Sequence, residues 1–141
     1  MKRGTQTVMA FDFGTKKIGI AIGQEITNSS QTFYTVKANE GEPEWTQLDK
    51  VVFEWNPKLF IVGDPLNFDG SESDMKEKSD KFSNQIQKKY KIPVKLVDER
   101  LTTKEARERI KEEASMSFRS SADIHQVSAQ IILESWFRMN R

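Results

Sequence analysis

The sequence predicts an α/β domain with a mixed five-stranded sheet, three antiparallel strands followed by two parallel ones, flanked by helices. Three observations predict it. The chain up to Lys37 reads as three strands in succession, joined by short turns. Beyond that point, apolar runs of strand length alternate with stretches of helical spacing, the order expected of βαβ crossovers. One of those runs, Leu59-Phe60-Ile61-Val62, is wholly apolar, as in a strand covered on both faces.

In chain order, Thr7–Phe13 is the first strand and should be central, with the later parallel strands beside it. Lys17–Ile26 follows the turn Gly14-Thr15-Lys16, and its alternating Ile18, Ile20 and Ile22 predict a hairpin partner. Thr32–Lys37 is the third strand. Pro43 suits a helix start, Trp45, Leu48, Val51, Val52 and Trp55 recur at helical spacing, and Asn56-Pro57 stops the helix. After the buried run ending at Gly63, residues 67–73 read as a loop turning at Asp69-Gly70. A helix is expected over 73–90 with Phe82, Ile86 and Tyr90 on one stripe, then a strand over Val94–Val97. Thr102 and Glu105 suggest a capping box for a charged helix to about Glu113, and 116–121 reads as a loop. The last helix is expected over about 122–139, with Ile124, Val127, Ile131, Ile132 and Trp136 packing inward.

Length and composition agree with this class. At 141 residues, 36% hydrophobic, 30% charged and 10% aromatic, residues 1–141 suit one domain with a core. With no cysteine, a disulfide framework and a thiolate metal site are both excluded. The basic start Met1-Lys2-Arg3-Gly4 leads into an apolar stretch broken by Asp12 and Gly14. That is too short and polar for a signal peptide or membrane span, so a cytoplasmic location and no membrane contact are expected. A net charge of +1 neither demands nor forbids a polyanionic partner.

Asp12 is the most informative residue. A carboxylate inside a central apolar strand is costly unless paired or coordinated. Phe11 and Phe13 should point to the opposite face, leaving Asp12 beside small Ala10. The plain alternative is a cap on the Gly14-Thr15 turn. Asp98-Glu99-Arg100 ends a second strand just before a helix, where ligands collect in parallel sheets, although acids at a helix start are also ordinary. Alternation sends Asp98 and Glu99 to opposite faces, so only one should join Asp12 directly. Asp123 and His125, the only histidine, come at the start of the last helix. On the plain reading Asp123 is a first-turn acid complementing the helix dipole and a lone histidine is structural, yet imidazole can ligate metal or carry a proton. Two residues apart on a helix they diverge by about 200°, so both meet one metal only if Asp123 precedes the helix.

Carboxylates on two strands and a helix end suit Mg2+ or Mn2+ over zinc. Two such ions about 3.5–4 Å apart would assist phosphodiester cleavage. Lys16, Lys17, Arg100, Lys104, Arg107 and Arg109 could position a polyanion. Interleaved Glu105, Glu108, Glu112 and Glu113 make most of the helix a solvated face, so Arg100 is the preferred phosphate contact.

FDFGTKKIGIAIGQ, IVGDPLNFDGSE, DERLTTKEAR and SAQIILESWF, in this order, resemble the YqgF (RuvX) family over nearly the whole chain. The resemblance implies an RNase H-like fold related to RuvC resolvases. It also implies either Holliday junction resolution or, in bacteria, a nuclease maturing the 5′ end of 16S ribosomal RNA. Asp12 matches the acid of the first strand and Glu99 that of the DER motif, while Gly14, Thr15, Gly63, Pro65, Asn67 and Gly70 match loops around the site. Where the family usually carries a third aspartate, this chain has His125, with Asp123 two residues earlier. Related RuvC-like nucleases can use histidine there. The resulting expectation is catalysis by Asp12, Glu99 and His125, metal on Asp12 and Glu99 with Asp123 in reserve, and nucleic-acid contacts from Lys16, Arg100 and Asn67. Expected partners are precursor ribosomal RNA, branched DNA and the small-subunit precursor, with the protein a monomer or homodimer.

Three rivals remain open. A DNA junction resolvase would need a symmetric dimer to make paired cuts. Asp12-Phe13-Gly14-Thr15 also resembles the first phosphate loop of the actin and sugar-kinase fold, but 141 residues lack that fold's second domain. A nucleic-acid-binding module without catalysis is the third, motivated by the missing aspartate.

Overall fold

The structure, a computed structural model, describes residues 6–24, 29–64, 75–98 and 124–140. Its strands are β1 (Thr7–Asp12), β2 (Lys17–Gln24), β3 (Ser29–Asn39), β4 (Glu42–Pro43), β5 (Leu59–Asp64) and β6 (Val94–Asp98). Its helices are α1 (Trp45–Trp55), α2 (Lys76–Tyr90) and α3 (Ile124–Met139). The sheet order is β4-β3-β2-β1-β5-β6. β1 pairs antiparallel with β2 and parallel with β5, so the expected meander and parallel half meet at β1, which is central.

Alternation along the strands sorts side chains between two cores. Phe11, Phe13, Ile18, Ile20, Ile22, Phe60 and Val62 join Leu48 and Val52 of α1 and Phe82 and Ile86 of α2. Val8, Ala10, Ala21, Ile61 and Val97 pack instead against Ala129, Ile132, Leu133 and Phe137 of α3. The side chains of β1 and β2 under α3 are thus small where the helix comes down. On the other face, aromatic edges fill the space: Phe82 lies 5.3 Å from Phe11 and 5.3 Å from Phe13.

The sheet has a sixth strand where five were expected, and Pro43 lies in it instead of starting a helix. Glu40 (φ 50°) and Gly41 (φ 89°) make a left-handed turn that reverses the chain, so Glu42 and Pro43 fold back on Asn39 and Ala38. Such turns match strand twist, and an edge strand tolerates a proline without an N–H. Helix α1 then begins at Trp45 and ends as expected at Asn56, whose left-handed backbone (φ 46°) lets its N–H bond to the Val52 carbonyl. Strand β5 runs one residue past Gly63, to Asp64. The expected loops at 67–73 and 116–121 and the helix from Thr102 to Glu113 lie outside the described residues. No described helix is long and apolar enough to cross a membrane.

Candidate active site

Asp12 ends β1 at the carboxyl edge of the parallel half, facing α3 together with Ala10. The chain then turns through Gly14, Thr15 and Lys16. Two backbone bonds hold that turn: Ala38 N–H donates to Lys16 O at 2.8 Å and Gly41 N–H to Thr15 O at 3.0 Å. The extra hairpin therefore fixes the turn that follows Asp12. Lys16 and Lys17 are exposed on it.

Helix α3 supplies the partner. His125 Nδ1 lies 2.8 Å from Asp12 Oδ2, with the carboxylate side chain 14% exposed and the imidazole 32%. An ionised carboxylate only accepts, so Nδ1–H donates, and Nε2 is the basic nitrogen whenever the ring is neutral. The approach depends on two glycines. A Cβ on Gly14 would stand 3.0 Å from the imidazole Cε1, and one on Gly19 would overlap the His125 carbonyl. A side chain at Gly19 would push α3 off the sheet, whereas one at Gly14 would first collide with the Lys17 carbonyl oxygen, 2.5 Å away, and break the turn.

The structure brings Asp12 and His125 together. Glu99, Arg100, Asn67 and Asp123 lie outside the described residues. Asp98 is described, and its register partner is Asp64 on β5. Val97, next to Asp98, belongs to the core under α3, so Asp98 faces the α2 side, away from Asp12. Asp64 was missed in the sequence, where Gly63 reads as the strand end. The available signal was a carboxylate between an apolar run and Pro65. Lys76 Nζ stands 3.0 Å from Asp64 Oδ1 and 3.1 Å from Asp80 Oδ1. The Asp64 contact is an ion pair by distance, although Oδ1 has no aligned hydrogen-bond donor among the described residues. Asp64, with Asp80, holds the Lys76 ammonium above its usual range against the opposing effect of burial.

As a test of metal fit, Asp12 offers a partly buried hard oxygen donor, oriented by the Nδ1–H bond from His125. Among the described residues no three histidine, aspartate or glutamate side chains converge as a metal site. The pair suits one edge of a divalent-cation site and needs a further carboxylate to complete it.

This sheet order, with an acid on its central strand met by the last described helix, defines an RNase H-like fold. Two solved structures share the fold: "T. thermophilus RuvC in complex with Holliday junction substrate" (TM-score 0.59, 13% identity, 96% of each chain covered) and "Thermus thermophilus RuvC structure" (TM-score 0.57, 15% identity, 96% and 97% covered). The chain belongs to the RuvX family: the model described as "RuvX: Holliday junction resolvase" matches residues 6–139. It is similar to proteins named "Putative pre-16S rRNA nuclease". The one from Saccharophagus degradans is 43% identical over 136 residues, covering 96% of each chain. That from Pseudoalteromonas translucida is 47% identical over 135 residues, covering 96% of this chain and 91% of the relative.

Proposed function

We propose that this protein is a metal-dependent endonuclease hydrolysing phosphodiester bonds during 5′-end maturation of the small-subunit ribosomal RNA precursor. The observation that carries the reading is Asp12 hydrogen-bonded to His125 at the carboxyl edge of the sheet. Its RNA substrate is taken from the similarity to relatives named for pre-16S rRNA.

Asp12 and Glu99 would hold a divalent cation, Mg2+ or Mn2+, with Asp123 in reserve, and its chemistry there is to activate water and offset charge on the leaving 3′-oxygen. Glu99 is included because it matches the acid of the family's DER motif. His125 holds the Asp12 carboxylate in one orientation through Nδ1–H and can move a proton at Nε2. Lys16, Arg100 and Asn67 would hold the phosphate backbone. The location proposed is the cytoplasm.

The test is cleavage of a 5′-extended 16S precursor RNA beside a four-way DNA junction, each with Mg2+, Mn2+ or chelator. Metal-dependent RNA cutting by wild type, reduced about 100-fold in Asp12→Asn, is the expected result. His125→Ala should lose between about 10- and 100-fold. A second reading, junction resolution, is favoured by the family description, and preferential cutting of the junction would select it. If neither substrate is cut while both variants bind nucleic acid like wild type, the protein is a binding module.

A further inference from the structure

Asp12, Gly19 and Thr35 are successive register partners across β1, β2 and β3. Directly paired residues share a face, so the three form one row under α3. The first turn of α3 lies along that row, one contact per strand. His125 meets Asp12 on β1, its own carbonyl rests on the bare Cα of Gly19 on β2, and Gln126 Nε2 donates to Thr35 Oγ1 on β3 at 2.8 Å.

We infer that Thr35 and Gln126 are positioning residues for cleavage: their hydrogen bond sets the rotation of the first turn of α3 and so aims His125 at Asp12. This rests on His125 belonging to the active site. The first residues of a helix lack the preceding turn that stiffens its middle. Gly19 allows close approach here but offers no side chain to stop the turn from rotating. A bond on one side of the glycine and the imidazole on the other supply two points of hold. Thr35 is two strands from Asp12, about 10 Å at the usual strand spacing, so it acts through the helix and not on the reacting atoms. Misplacement of a reacting group by about 1 Å can cost about 100-fold in rate.

The experiment is a double-mutant cycle on single-turnover cleavage with Mn2+. Thr35→Val removes the hydroxyl at nearly constant volume, and Thr35→Ser restores it. Thr35→Val should cut about 10-fold more slowly at unchanged substrate affinity, and Thr35→Ser near the wild-type rate. In a His125→Ala background, Thr35→Val should cost less than about twofold, because its effect passes through the imidazole. Equal losses in both backgrounds, or a serine variant as slow as the valine one, overturn the inference and leave the active-site reading standing. A His125→Ala protein as fast as wild type overturns both. The single histidine also gives one unambiguous pair of 15N imidazole signals that needs no turnover. Wild type and Thr35→Ser should show the Nδ1–H form, and Thr35→Val an averaged one. Identical spectra in all three overturn the inference even if no substrate is cut.

Discussion

At Asp12 an apolar strand carries a charge, and the group that answers it comes from 113 positions further along the chain. At Asp64 the answer is local: Lys76, at the start of α2, reaches back to the end of β5. The two acids sit on opposite faces of the sheet, which is why only one of them meets α3. Asp64 also stands beside Asp98, and like charges opposite each other repel. Lys76→Met should therefore lower unfolding free energy by about 1–3 kcal/mol, as read from urea denaturation. Adding Asp64→Leu should recover most of that loss, since an apolar pair can replace an ion pair. No recovery would mean Asp64 is held by something other than Lys76. In the sequence Asp12 stands out because Phe11 and Phe13 flank it, whereas Asp64 hides behind a glycine that looks like a strand end.

The elements were legible where burial sets the pattern and obscure where backbone conformation does. Alternation in β1 and β2 and the Phe82–Ile86 stripe of α2 all follow from which side chains go inside. Strand β4 depends on a non-glycine residue, Glu40, adopting positive φ, and no side-chain pattern announces that. Phe82 joins β1 to α2 through two rings, so Phe82→Ala should cost about 3–5 kcal/mol in chemical denaturation. Between α1 and α2, burial and then the hydrogen bond to Asp49 push the Tyr90 hydroxyl well above its usual 10.0. The folded state keeps a proton that the unfolded state loses, so this contribution is full below about pH 10 and falls as pH rises. Lys76 titrates with the same sign. Urea midpoints measured from pH 8 to 11 should decline, and Tyr90→Phe should decline less steeply.

For the whole molecule, a net charge of +1 says nothing of local distribution, and two exposed lysines, Lys16 and Lys17, lie at the end of the turn beside the candidate site and the start of β2. Lys16→Gln should weaken nucleic-acid binding similarly for all sequences and reduce the salt dependence of log K by about one unit. An unchanged slope in a salt titration would remove Lys16 from the interface. The mixed topology was legible from strand order because crossover rules leave few alternatives. That the first turn of the last helix lies along a row spanning three strands was not legible, since no local pattern encodes a contact between Thr35 and Gln126.

The distance along the chain between Asp12 and His125 also has a meaning in time. Ribosomes add about 5–20 residues per second, so 113 residues separate the two by roughly 6–23 s. Throughout that interval the growing chain has the carboxylate but not the imidazole, and the small side chains meant for α3 have no cover. With the proposed substrate, the enzyme would be made within reach of the RNA it cuts. Here the order of synthesis itself withholds the proposed activity until the final helix has been delivered.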